Sequence, residues 1–250
     1  MERLDLQACS PEKNACPYAE IDLVRLRQLG MVTPDAGAVA VAEEFRIIKR
    51  PLLDRAIQGR TAGARHANLI LVTSALPGEG KTYCAVNLAM SIAMEKDHTV
   101  LLVDADATHP CVLHLLGIAP ASGLIDVLLD AAAGLPATLA HVIVRTNIAT
   151  LSILPAGRSH QQASELLASA AMHAVLDDIA TRYADRIVVV DAPAVLAGAE
   201  ASALAAHMGQ VVLVVESEAT TQRDVRDALQ RLGAGTRIDL VYNKASTARW

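Results

Sequence analysis

The stretch Thr73-Ser74-Ala75-Leu76-Pro77-Gly78-Glu79-Gly80-Lys81-Thr82 decides the fold. It follows Leu69-Ile70-Leu71-Val72, an apolar run that reads as a buried parallel strand. It precedes Ala85-Val86-Asn87-Leu88-Ala89-Met90-Ser91-Ile92-Ala93-Met94, which reads as a helix. A glycine-rich turn between strand and helix aims successive backbone N–H groups and the helix N-terminus at a bound anion. Gly78 and Gly80 permit the close backbone approach this requires. The pattern predicts a P-loop in which Leu76, Pro77, Gly78, Glu79, Gly80, Lys81, Thr82 and Tyr83 surround the phosphates of ATP. Lys81 would reach the β- and γ-phosphates, and the Thr82 hydroxyl would ligate Mg2+. One position departs from the pattern: five residues before Gly80 stands Ala75, which tolerates positive φ less readily than glycine.

Two acidic motifs end further apolar strands. Val100-Leu101-Leu102-Val103 runs into Asp104-Ala105-Asp106, and Ile187-Val188-Val189-Val190 runs into Asp191. In a doubly wound sheet ligands bind beyond the carboxyl ends of the strands, so Asp104, Asp106 and Asp191 are expected beside the P-loop. Three carboxylates gathered there make sense around cations. Asp106 and Asp191 are the expected Mg2+ ligands. Asp104 either accepts a proton from an attacking hydroxyl or caps a helix. Asn243, after the last strand pattern, either bonds the adenine edge or closes a strand-end turn.

Around these motifs the chain reads as α/β, a doubly wound and mostly parallel sheet in three layers. Strand patterns at Thr99 to Val103, Ala149 to Leu154, Arg186 to Val190, Gln210 to Val215 and Arg237 to Tyr242 are interleaved with helical ones. Phe45, Ile48, Leu52 and Ala56 predict a helix over Val39 to Ala56, which Pro51 should kink or end early, with Gly59 to His66 as a linker. Residues 1–38 read as an irregular N-terminal extension, and residues 39–250 as a single ATP-binding domain. At 250 residues and 52% hydrophobic, the chain can bury a substantial core. A net charge of −5 without a long basic run gives no reason to expect nucleic acid or an electrostatic membrane patch. Cys9, Cys16, Cys84 and Cys111 lack any Cys-x-x-Cys spacing and read as reduced thiols. The chain shows no spanning-length apolar run and no signal-peptide layout, which predicts a cytoplasmic protein.

Together, Gly78-Glu79-Gly80-Lys81-Thr82, Asp104-Ala105-Asp106 and Asp191-Ala192-Pro193 resemble the Walker A, Walker A′ and Walker B motifs of the bacterial tyrosine kinases. These are the cytoplasmic P-loop autokinases of capsule and exopolysaccharide export. The resemblance covers roughly residues 39–245 and includes Leu154-Pro155-Ala156-Gly157, Glu165-Leu166-Leu167 and Val241-Tyr242-Asn243-Lys244. Gly30-Met31-Val32-Thr33-Pro34 and Glu43-Glu44-Phe45-Arg46 are similar to the subgroup associated with exosortase and PEP-CTERM exopolysaccharide loci. The resemblance implies transfer of the γ-phosphoryl of Mg-ATP to tyrosine. It also implies a homo-oligomeric ring built through a Glu-x-x-Arg-x-x-Arg helix, here Glu43, Arg46 and Lys49, with Arg50 beside the lysine that replaces the last arginine. It further implies activation by a membrane polysaccharide co-polymerase that recruits the chain to the inner face of the plasma membrane.

The pattern breaks in two places. The family commonly ends in a tyrosine cluster, whereas this sequence reads Ala245-Ser246-Thr247-Ala248-Arg249-Trp250. Its tyrosines are Tyr18, Tyr83, Tyr183 and Tyr242, of which Tyr18 is the freest to enter another subunit's site and the others read as structural. Asp191-Ala192-Pro193-Ala194 carries one proline where the family commonly carries two. Two alternatives remain. One is an ATP-dependent assembly switch of a polysaccharide co-polymerase without kinase activity. The other is a partitioning or division-positioning ATPase, against which Leu76 weighs, because that class carries a lysine at this position.

Overall fold

The computed structural model describes residues 17–35, 39–95, 97–135, 138–183, 185–233 and 235–245. The sequence-level readings of Cys9, Cys16 and the segment 246–250 lie outside the described residues. Among the described residues, eight strands form one sheet, and apolar runs dictate its centre. The central strands are β2 (Leu69–Ser74), β3 (Thr99–Asp104), β6 (Arg186–Asp191) and β7 (Gln210–Glu216). Beyond them lie β1 (Tyr18–Ala19), β4 (Val144–Thr146), β5 (Leu151–Leu154) and β8 (Ile238–Asn243). The spatial order is β1-β4-β5-β3-β6-β2-β7-β8. Every pair is parallel except β4 with β5.

All six residues of β2 and of β6 are buried, because the sheet is covered on both faces. Side chains alternate between two cores: Leu69, Leu71, Val103, Val190 and Leu213 share one, and Ile70, Val72, Leu102, Val189 and Val212 the other. The first core is closed by α5 (Leu124–Ala132), α6 (Ala163–Leu167), α7 (Ala170–Arg182), α8 (Glu200–Ala205) and α9 (Gln222–Leu232). The second is closed by α1 (Leu23–Gln28), α2 (Val39–Thr61), α3 (Lys81–Ala93) and α4 (Val112–Leu116).

Helix α3, which opens at the P-loop, is buried all round from Cys84 to Ala93. A helix apolar on every side needs a second cover, and α2 together with residues 17–35 supplies it. Val32 N donates to Asn87 Oδ1 at 2.7 Å, and the Tyr83 hydroxyl donates to Gly30 O at 3.3 Å. The segment expected to be irregular therefore has local order: Tyr18 pairs with Arg145 at one sheet edge, and Asp22 caps α1 through Arg25 N.

Pro51 neither ends α2 nor confines it, since the helix runs through it to Thr61 and takes in part of the expected linker. The amide that Pro51 lacks would have bonded Ile47 O. Both residues lie on the exposed face, where water can take that carbonyl. Lys49 departs further from expectation. It is 5% exposed, its Nζ donates to Ser91 O at 2.5 Å, and it pairs with Glu95 at 2.8 Å, so it fastens α2 to the end of α3 instead of facing outward. Removing this ammonium strands a buried carbonyl and frees Glu95. Lys49→Ala should therefore lower unfolding free energy by about 1–3 kcal/mol, read as a shifted midpoint in denaturant titration.

Candidate active site

The turn from β2 into α3 bends with positive φ at Gly78 (90°) and Gly80 (94°). Ala75 does not share that conformation and packs fully buried, so the missing glycine costs the loop no strain. The loop is fastened on both flanks. On one side Val195 N donates to Ser74 O, Leu196 N to Ala75 O, and the Thr73 hydroxyl to Pro193 O at 2.6 Å. On the other side Glu79, 2% exposed, accepts from Leu76 N at 2.6 Å and Glu216 N at 3.3 Å, and also from the Thr220 hydroxyl. Asn243 Nδ2 donates to Glu79 O at 2.8 Å and occupies the space a Gly80 side chain would need. Lys244 Nζ donates to Gly78 O at 2.9 Å.

Strand register brings the carboxylates together, because Asp191 on β6 is level with Val72 on one side and Asp104 on the other. Lys81 Nζ lies 2.6 Å from Asp106 Oδ2 and 3.8 Å from Asp191 Oδ1. Burial opposes the charge on Lys81, but Asp191 and Asp106 outweigh it and hold the ammonium above its ordinary range. Burial pushes Asp191 above the usual carboxylate range, against the pull of Lys81 and the nearby Thr82 hydroxyl. Asp191 is 0% exposed, and neither of its oxygens has a partner at hydrogen-bond geometry.

A cavity of about 540 Å³ opens over this cluster, walled by Pro77, Gly78, Gly80, Lys81, Thr82 and Asp106 on the P-loop side. Thr108, His109, Cys111, Pro193, Ala194, Ala197 and Glu200 complete the wall. Of these, Pro193 and Ala194 belong to the stretch after Asp191 and Cys111 was read as a thiol, whereas Thr108, His109, Ala197 and Glu200 were not singled out in the sequence. Their signal was position, since all follow the carboxyl ends of β3 and β6.

Not every expected site residue faces the cavity. Leu76 packs on the core with its N–H already taken by Glu79, and Tyr83 turns towards Gly30. Asn243 braces the loop, with its amide nitrogen engaged there instead of free for an adenine edge. Asp104, expected as a proton acceptor, is 1% exposed, with one oxygen on Asp106 N and the other on Val112 N, both at 3.2 Å. Burial first, and Asp191 second, push its carboxyl up to about 7. Its two bonds hold the main chain at Asp106 and at the first residue of α4.

The donor set suits a nucleotide with a divalent cation. An orphaned buried carboxylate, a hydroxyl on the first turn of α3 and a second carboxylate at the wall leave several coordination positions to phosphate and water, as small hard cations require. Among the described residues, no three His, Cys, Asp or Glu side chains form a metal cage.

Loop, carboxylates and parallel sheet define a P-loop nucleotide-binding domain, and residues 67–234 match the family described as AAA domain. The chain belongs to the bacterial tyrosine kinases within that class. It is 31% identical over 168 residues to tyrosine-protein kinase YwqD of Bacillus subtilis, covering 67% of this chain and 68% of that one. It is 37% identical over 211 residues to the succinoglycan biosynthesis transport protein ExoP of Rhizobium meliloti, covering 83% of this chain but only 25% of that relative. The chain thus spans about a quarter of the length of that relative. The kinase domain of Escherichia coli tyrosine kinase ETK superposes with a TM-score of 0.67 at 26% identity, covering 93% of this chain and 92% of that one.

Glu79 connects the phosphate loop to the start of α9, so its loss should loosen the loop without touching the cavity. Glu79→Ala is expected to weaken ATP binding by about tenfold or more, the equivalent of one charge-assisted hydrogen bond, in a fluorescent-nucleotide titration.

Proposed function

We propose that the chain is an ATP-dependent protein-tyrosine kinase of exopolysaccharide or capsule synthesis and export, transferring the γ-phosphoryl of Mg-ATP to tyrosine. The observation that carries this reading is the P-loop lysine at the wall of a cavity of about 540 Å³, beside Asp106 on the same wall and within 3.8 Å of the buried Asp191. Membership of the bacterial tyrosine kinases supports it. Phosphoryl transfer asks the protein mainly to position the reactants and balance charge. Lys81 and the main-chain amides around Gly78 and Gly80 hold the phosphates. Thr82, Asp106 and Asp191 would hold Mg2+, which would offset charge on the transferred group. Asp104 keeps Asp106 in place. The open mouth between Pro77 and Glu200 admits the acceptor.

The assay is phosphorylation of a random Glu/Tyr copolymer with Mg-ATP. Lys81→Met and Asp106→Asn should each reduce it by about a hundredfold or more, and chelation of Mg2+ should abolish it. ATP hydrolysis with no phosphotyrosine in the wild-type chain would instead favour the assembly-switch reading.

The same reading includes a homo-oligomer. Glu43 and Arg46 are paired on the exposed face of α2 and Arg50 is exposed beside them, whereas Lys49 is committed inside the chain. A ring face would therefore use Glu43, Arg46 and Arg50. Joint replacement of Arg46 and Arg50 by alanine should shift light-scattering mass towards the monomer and leave the unfolding midpoint unchanged. A membrane polysaccharide co-polymerase is the proposed activator, docking the chain at the inner face of the plasma membrane. No described helix is long and apolar enough to cross a membrane.

A further inference from the structure

We propose that Glu200 is a further catalytic residue, the carboxylate that meets the incoming tyrosine hydroxyl and takes its proton. The inference rests on the kinase reading above. In-line phosphoryl transfer places the attacking oxygen on the side of the γ-phosphorus away from the leaving oxygen. With the phosphates on the P-loop, the acceptor therefore meets the walls that face the loop, which come from the segments after β3 and β6.

Four carboxylates stand around this site, and three are already committed. Asp104 is 1% exposed, does not reach the cavity wall and has each oxygen on a main-chain N–H. Asp191 is fully buried beside Lys81. Asp106 lies on the wall but is paired with Lys81 at 2.6 Å and accepts from His109 N at 3.0 Å. Glu200 is on the wall and half-buried, and among the described residues no hydrogen bond or ion pair engages its carboxylate. His109 and Cys111 share the wall, but both are exposed. A carboxylate facing a polyphosphate is unfavourable unless the substrate brings it a donor or a cation, and a tyrosine hydroxyl is such a donor.

The chain holds Glu200 in place relative to the phosphates. Its carboxylate folds back over Gly198, where a methyl group on the glycine would overlap Glu200 Oε2. The segment before it is fastened to the start of the P-loop by Val195 N on Ser74 O at 2.8 Å and Leu196 N on Ala75 O at 3.1 Å. Arg231 Nη1 donates to Val195 O at 3.2 Å, and Ala201, Leu204 and Ala205 bury the helix that Glu200 opens. A group that must meet a reacting atom needs such a rigid mount.

In the proposed step the tyrosine hydroxyl oxygen forms a bond to the γ-phosphorus as the bond from that phosphorus to the β–γ bridging oxygen breaks. ADP leaves with the electron pair. The phenolic proton passes to a Glu200 carboxylate oxygen, from which water later removes it.

The test is steady-state phosphorylation of the Glu/Tyr copolymer by the full chain with Mg-ATP. Glu200→Gln should lower kcat by about a hundredfold and leave KM for ATP unchanged. Gly198→Ala, which keeps the glutamate but displaces its carboxylate, should lower kcat by about tenfold. Added formate should restore part of the turnover of Glu200→Ala, which a purely structural glutamate would not show. Wild-type kcat in Glu200→Gln overturns the proposal and leaves the kinase reading standing. So does a raised KM for ATP at unchanged kcat, which would assign the carboxylate to the nucleotide or its cation. Failure of the wild-type chain to label the copolymer overturns both readings.

Discussion

The rest of the molecule depends on holding carboxylates in a dry site against one ammonium. Asp191 is fully buried without a hydrogen bond, Asp106 is almost as deep, and Lys81 is the cation between them. Such an arrangement costs stability, because desolvating a carboxylate is expensive unless it is paired and its lone pairs are filled. The sheet makes it tolerable. Both carboxylate-bearing strands are parallel, buried on both faces and level with the strand that leads into the P-loop. A slip of one residue between β2 and β6 would turn Asp191 to the opposite face, so the long apolar runs that lock the register also aim the carboxylate.

The phosphate loop is correspondingly built before any phosphate arrives. Its first residues are sewn to the segment after β6, and its glycines are propped by Asn243 and Lys244 from the end of β8. Glu79 places a carboxylate inside an anion-binding loop, an apparent conflict. It is resolved by direction: the side chain turns into the body of the domain, where two main-chain N–H groups and a hydroxyl neutralise it. The helix that follows the loop is held by α2 through Lys49 and by residues 30–32 through Tyr83 and Asn87. A face of α2 that meets a neighbouring copy would thus be one side chain, Lys49, away from the helix that carries Lys81 and Thr82.

How much of this could be read from the sequence follows from the range of each signal. The P-loop, the strands of the central sheet and the aspartates at their ends are local patterns, and local patterns survive folding when the run is long and apolar. The two-residue β1 and three-residue β4 carry no periodicity of their own, and exist because a neighbouring edge was available to pair with. Lys49 looked like a surface cation because charge usually means exposure, and its partners lie 42 and 46 residues away in α3 and just beyond it. Glu79 was read as a loop residue for its backbone, since two of its three side-chain partners come 137 and 141 residues later. Asp104 could be read as a proton acceptor or as a cap, and its bonds to Asp106 N and Val112 N come into being only in the fold.

Strand β8 shows how a single element can serve the interior and the surface at once. Side chains on a strand alternate between faces, so Asp239, Val241 and Asn243 turn towards α2 and the P-loop, while Leu240 and Tyr242 are left at the open face near α9. Asp239 pairs with Arg55 of α2, and Asn243 holds the loop at Glu79 O. Among the described residues β8 pairs with no strand but β7, which leaves its outer edge open. Its inward residues hold the nucleotide loop only while it stays docked. The edge that leaves Tyr242 accessible is therefore the same edge on which the shape of the loop depends.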